Sequence, residues 1–311
     1  MDFNRRRLLQ TGAAITGLAA TSGIAAVAQS PEPLFKISLA QWSLHRALYG
    51  DNGEPPSLEP LDFPVVARQV YDIGAVEYVN SFYQGKARDR SFVNELKARA
   101  DGEGVISSLI MCDGEGRLGD PDDNKRREAV ENHKKWADMA AALGCRHIRV
   151  NADSEGEFIQ QQRLAADGLR QLAEYTAQFG INVLVENHGG YSSHGCWLAG
   201  VMGMADHPNV GTLPDFGNFR ISDTESYDIY QGVRELMPYA KAVSAKSFRF
   251  DTSGNESGID YDRMISIVLD AGYRGYIGIE YEGHDDTEQI GILKTKALLE
   301  KMRTRFTPRY Q

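Results

Sequence analysis

Eight times along this chain a short apolar, β-branched run stops at a polar residue or a glycine and gives way to a segment with helical apolar spacing. A run such as Ile181-Asn182-Val183-Leu184-Val185, flanked by turn signals, is expected of a strand buried on both faces, as in a parallel sheet. Parallel neighbours need a crossover between them, and the helical segments supply it. The predicted strands fall at 36–42, 75–79, 104–111, 146–150, 181–186, 210–214, 240–246 and 276–279. The intervening helices are predicted at 64–73, 92–100, 125–143, 158–179, 197–205, 227–236 and 261–271, with a last one at 287–302. Gly74, Gly144, Gly180 and Gly272 stand where four of these helices should close. Eight strand–helix units over residues 36–311 predict an α/β fold, a single-domain (β/α)8 TIM barrel. The rival, a doubly wound open sheet, is disfavoured because no GxGxxG follows the first strand.

Residues 1–28 do not fit the repeat. Asn4-Arg5-Arg6-Arg7-Leu8-Leu9 precedes a weakly apolar Ala/Gly/Thr segment that ends in Ala26-Val27-Ala28, with no acidic residue between Asp2 and Glu32. This is the pattern of a removable targeting segment, too short and too polar to form a stable membrane span. Its twin arginines resemble the twin-arginine export signal, which implies transient contact with that machinery, export in the folded state and a periplasmic location. Residues 29–35 read as a linker. The formal charge of −9 argues against a nucleic-acid partner. Cys112, Cys145 and Cys196 have neither zinc nor CxxC spacing and are expected to be small buried hydrophobes.

Functional residues are expected at strand ends, because the C-terminal rim of such a barrel carries its chemistry. Alternation along a strand puts Leu184, Glu186 and His188 on one face, and Gly278, Glu280 and Glu282 opposite the apolar Ile277, Ile279 and Tyr281. Asp215 closes the sixth strand, and Ser244 and Lys246 share a face of the seventh. Glu186, Asp215 and Glu280 should therefore converge at one mouth beside Lys246. Like charges so close call for a divalent cation or for raised pKa values. Oxygen ligands favour Mg²⁺ or Mn²⁺, and an added imidazole would admit Co²⁺ or Zn²⁺. Trp42, Tyr83 and Trp197 fall near the predicted rim, where each could present an aromatic face. The polar loops 51–60 and 113–123 should lie on the same rim.

Four motifs carry a family resemblance: Val185-Glu186-Asn187-His188, Pro214-Asp215-Phe216-Gly217-Asn218, Val243-Ser244-Ala245-Lys246 and Ile279-Glu280-Tyr281-Glu282-Gly283. In them the chain resembles the sugar isomerase/epimerase superfamily of xylose-isomerase-like TIM barrels. The resemblance implies one divalent metal held by a Glu, an Asp, a His and a Glu from four strand ends, with Glu186, Asp215 and Glu280 as the matched positions. The chain departs from the family at Ser244, where a His is usual, and at Asn218, where a His closes the common motif. His188, His284 or His194, or water and substrate, would have to fill the gap; otherwise the metal site has decayed and the barrel only binds sugar. The implied chemistry is proton abstraction beside a carbonyl through an enediolate, with Glu186 and Glu280 as bases and Lys246 as acid or oxyanion partner. Its outcome is isomerisation or epimerisation of a small carbohydrate, or elimination from a 3-keto-glycoside. Trp42, His188, Trp197, Asn218, Glu282 and His284 are the candidate substrate contacts. The phosphoesterase branch of the superfamily fits poorly, since its His-rich site and basic groove are both absent.

Overall fold

The computed structural model describes residues 32–311. The export segment and residues 29–31 of the linker lie outside the described residues. From Pro33 to Gln311 the chain forms one unit.

The alternation runs as the sequence predicts. β1 (Lys36–Ala40) leads through a short helix α1 (His45–Tyr49) to α2 (Phe63–Gln69). Then follow β2 (Ala75–Val79) and α3 (Arg90–Gly102), β3 (Ile106–Met111) and α4 (Asp123–Leu143), and β4 (His147–Val150) and α5 (Phe158–Thr176). The second half contains β5 (Asn182–Glu186) and α6 (Gly195–Ala205), β6 (Val210–Leu213) and α7 (Ile229–Leu236), β7 (Val243–Ser247) and α8 (Tyr261–Asp270), and β8 (Tyr276–Tyr281) and α9 (Glu288–Tyr310). α4 starts where the Asp122 carboxylate accepts from Asn124 N and Lys125 N, and stops at Gly144 in the left-handed region. α1 is not foreshadowed in the sequence, and α9 extends beyond its expected end at Met302. Among the described residues no helix is long and apolar enough to cross a membrane.

The eight strands form one parallel sheet in the order β6-β5-β4-β3-β2-β1-β8-β7. Its two edges meet through isolated bridges, Thr212 with Ala240 and Asp215 with Ser244. Pro214 is the reason this seam is not a regular ladder. It has no N–H to donate, so β6 ends at Leu213, while its carbonyl still accepts from Ser244 N at 2.9 Å.

Strand alternation divides the core in two. Val183, Val185, Ile148, Val150, Ile277 and Ile279 point outward into the apolar layer beneath the helices. Ala40, Val79, Leu109, Met111, Leu184, Leu213 and Ala242 form a smaller inner cluster, covered by Trp42 and Phe82. The remaining inward positions are polar: Ser38, Glu77, Arg149, Glu186, Ser244, Lys246 and Glu280 are all buried. Two glycines make room for them. A Cβ on Gly278 would stand 2.6 Å from Glu77 Oε1, and one on Gly217 would stand 2.8 Å from Lys246 Cγ.

Candidate active site at the barrel mouth

Glu186 is the last residue of β5, Asp215 follows β6 by two residues, and Glu280 is the penultimate residue of β8. Each offers one carboxylate oxygen to a group whose oxygens all lie within 4.8 Å of one another, and all three residues are buried. Lys246 of β7 reaches into this group. Its Nζ is 3.2 Å from Glu280 Oε1, 2.9 Å from Glu282 Oε1 and 3.9 Å from Asp215 Oδ2.

Hydrogen bonds fix most of the remaining carboxylate oxygens. Asn218 Nδ2 donates to Glu186 Oε1 at 2.9 Å, and Ser244 Oγ donates to Glu280 Oε2 at 2.8 Å. Asp215 Oδ1 accepts from Gly217 N and Asn218 N, both at 2.8 Å. Asn187 ties the β5 and β6 ends together: Asp215 N donates to its Oδ1 at 2.8 Å, and its Nδ2 donates to the Asp215 carbonyl at 3.0 Å. Asp215 Oδ2 is buried and accepts no hydrogen bond.

A second cation enters from β4. Arg149 Nε lies 2.6 Å from Glu186 Oε2, and its Nη1 donates to Asp113 Oδ1 at 2.7 Å. Asn151 Nδ2 donates to the same Asp113 oxygen at 2.8 Å. Arg149 was not among the residues expected at the site, although its parity with His147 in an otherwise apolar strand was a readable signal. Glu77 was missed as well. It sits in the barrel interior with Oε1 accepting from Ser38 Oγ at 2.6 Å and Oε2 unpartnered.

Burial and like charge shape the titration of these groups. Burial, reinforced by Glu186 and Glu280, pushes the Asp215 carboxyl up to about 8. Burial would also raise Glu280, but the Lys246 ammonium, the Ser244 hydroxyl and Arg149 together outweigh it and hold Glu280 below the usual carboxylate range. For Lys246 burial favours the neutral amine, and Asp215, Glu280 and Glu282 reverse that, so the ammonium is held well above its ordinary range. Burial raises Glu77 to about 7.

The remaining expectations divide sharply. Glu282 is at the site, paired to Lys246. Trp42 is half-buried above the inner apolar cluster. His188 is exposed and does not join the carboxylate group. β5 ends at Glu186, so the alternation that would have turned His188 inward stops two residues too soon. His284 is exposed on the rim beside Arg46. His194 is engaged elsewhere, its Nδ1 accepting from Trp197 N at the start of α6. Trp197 is not a substrate contact: it is fully buried in α6 and its indole N–H donates to the Phe158 carbonyl at 3.0 Å. Tyr83 is likewise sealed in, bonded to Gln41. Cys112 and Cys145 are buried, whereas Cys196 is exposed.

Fold and site together define a (β/α)8 barrel with an acidic mouth. Residues 68–304 match the family model described as xylose isomerase-like TIM barrel. The chain belongs to that family. Among solved structures, the 3-keto-D-glucoside 4-epimerase from E. coli superposes with a TM-score of 0.63 at 16% identity, over 87% of this chain and 99% of that one. A xylose isomerase-like TIM barrel protein from Mycobacterium smegmatis in complex with magnesium gives 0.65 at 16% identity, over 87% and 97%. Identities this low establish shared fold alone. A C-glycoside deglycosidase alpha subunit from Arthrobacter globiformis is 40% identical over 50 residues, which is 16% of this chain and 14% of that protein.

The site's donor set fits a divalent cation. Three buried carboxylates supply oxygens at ligand spacing, one of them, Asp215 Oδ2, lacks any hydrogen bond, and Lys246 and Arg149 do not balance the acids around them.

Proposed function

We propose that this chain is a sugar isomerase or epimerase that removes a proton from the carbon beside a carbonyl and passes through an enediolate. The observation that carries this reading is the grouping of Glu186, Asp215 and Glu280 around the Lys246 ammonium at the mouth of the barrel. Glu186, Asp215 and Glu280 would hold a divalent metal, and with Ser244 in place of an imidazole the oxygen donors favour Mg²⁺ or Mn²⁺ over Co²⁺ or Zn²⁺. Once bound, the ion would polarise a substrate oxygen and offset the negative charge that develops on it.

The chain's own groups supply the rest. Glu186 and Glu280 stand on β5 and β8, so each can accept a proton from a different side of a sugar carbon, as epimerisation requires. Arg149 orients Glu186 through their ion pair. Lys246 holds a proton at Nζ that it can share with a substrate oxygen, and Glu282 keeps that nitrogen in place. Trp42 offers an apolar face for the ring, and Asn218, His188 and His284 are the polar groups assigned to its hydroxyls.

A second outcome of the same first step is elimination from a 3-keto-glycoside. The segment shared with the C-glycoside deglycosidase subunit supports it. Incubation in D₂O with ketoses and 3-keto-glycosides separates the outcomes. Deuterium uptake without cleavage indicates an isomerase or epimerase, release of the aglycone indicates a lyase, and neither result over a broad panel refutes enolisation. Elemental analysis tests the metal: the purified protein should carry a stoichiometric divalent ion that Glu186→Gln and Asp215→Asn lose. A metal-free protein that still binds sugar would instead be a binding barrel. We also propose periplasmic delivery through the twin-arginine pathway, on the strength of Arg5, Arg6 and the weakly apolar segment after them.

A further inference from the structure

Beside the mouth lies a cavity of about 940 Å³, between the segment that follows β1 and the segment that follows β8. Pockets for small ligands run from about 300 to 1,000 Å³, so this one has room for a full ring. Its walls are fixed. Loop 50–57 returns to α1, where Ser57 N and Leu58 N both donate to the Ala47 carbonyl, at 2.8 and 3.0 Å. On the other side Glu288, buried at the start of α9, accepts from Arg46 N at 2.7 Å and from Ala47 N at 3.1 Å.

The cavity adjoins the catalytic mouth through one stacked pair. The His45 ring, which lines the cavity, lies parallel to Trp42 at 4.9 Å and 17°. Trp42 in turn covers the inner apolar cluster of the barrel, together with Phe82. On the β8 side His284 lines the cavity two residues after Glu282, the partner of Lys246. A ligand seated at the mouth that passes over Trp42 and His45 would enter this space.

The lining selects what enters. Asp51, Glu54 and Asp285 face it along with Asp286, which is paired with Lys294 at 2.7 Å, and Glu288, which lies 3.6 Å from Arg46. A phosphate or carboxylate would meet net repulsion there, whereas hydroxyl groups can donate to the carboxylates and accept from the histidines. We infer that this cavity is a subsite for a second, unphosphorylated sugar ring, so that the substrate is a glycoside of at least two rings rather than a free monosaccharide or a sugar phosphate. The assignment rests on the sugar reading above, which places the first ring at the mouth.

Isothermal titration with D-glucose, a glucosyl disaccharide such as maltose, and glucose 6-phosphate tests it. The disaccharide should bind at least about tenfold more tightly than glucose, and the phosphate no more tightly than glucose. Ser57→Trp, which fills the cavity from an exposed position, should abolish the disaccharide's advantage while the glucose Kd stays the same. Asp285→Asn, also exposed, should reduce the advantage in part. Equal affinities for glucose and disaccharide, tightest binding of the phosphate, equal weakening of both sugars in the variants, or no binding of any sugar would each overturn the subsite. Deuterium exchange is scored separately: exchange that is equal in 3-keto-glucose and its glycosides overturns the subsite alone, and exchange in no sugar overturns the catalytic reading.

Discussion

Arg149 and Glu186, one residue from the end of β4 and the last residue of β5, meet as a fully buried ion pair at 2.6 Å. The guanidinium also holds Asp113 at 2.7 Å, so one cation from the strand next to β5 sets the position of a candidate base and of a rim carboxylate together. Arg149→Met leaves both acids without their partner. Truncating one member of a buried pair costs about 3–5 kcal/mol, and chemical denaturation should register a loss of that order. A loss below about 1 kcal/mol would show that the pair does not organise the mouth.

Lys246 contributes charge rather than packing. Lys246→Met keeps the stem that lies against Gly217 and removes the ammonium from among Asp215, Glu280 and Glu282. Solvent exchange on the responsive sugar should fall about 10²–10⁴-fold, the usual share of a general acid or base. Exchange at the wild-type rate would remove Lys246 from the mechanism.

Glu77 makes stability depend on pH. Burial raises its carboxyl to about 7 from an ordinary 4.5, so the folded chain keeps a proton that the unfolded chain has released. The unfolded state then binds fewer protons, and this contribution, complete below about pH 4.5, is lost as pH rises through about 7. The difference corresponds to about 3 kcal/mol. Glu77→Gln, which can still accept from Ser38, should raise stability at pH 8 and leave it nearly unchanged at pH 4.5. Equal gains at both pH values would mean that Glu77 is not protonated in the folded barrel.

Trp197 separates packing from recognition. Because it is fully buried in α6, Trp197→Ala should cost about 3–5 kcal/mol in denaturation and leave sugar affinity of the folded protein unchanged. A selective loss of sugar binding with normal stability would return Trp197 to the site.

Export can be tested without reference to catalysis. Replacing Arg5 and Arg6 by lysines should keep the chain in the cytoplasm, as read by cell fractionation, and unchanged periplasmic delivery would refute the twin-arginine reading.

The repeat of apolar strand and amphipathic helix determined the barrel, because period and alternation are local properties that any eight such units must satisfy in the same way. Alternation brings Glu186, Lys246 and Glu280 to one mouth, since parity within a strand fixes which face a side chain occupies, and Asp215 joins them from the tip of the sixth strand. Prediction faltered where the chain leaves its regular elements. His188 was assigned by extending β5 two residues beyond its true end, and Trp197 by proximity to a rim that α6 in fact turns away from. Arg149, Glu77 and Ser244 acquired their partners only in three dimensions: Glu186 for Arg149, Ser38 for Glu77 and Glu280 for Ser244. Such pairings depend on the stagger between neighbouring strands and on the room that Gly217 and Gly278 leave inside the barrel, and neither quantity is written in the spacing of residues along one strand.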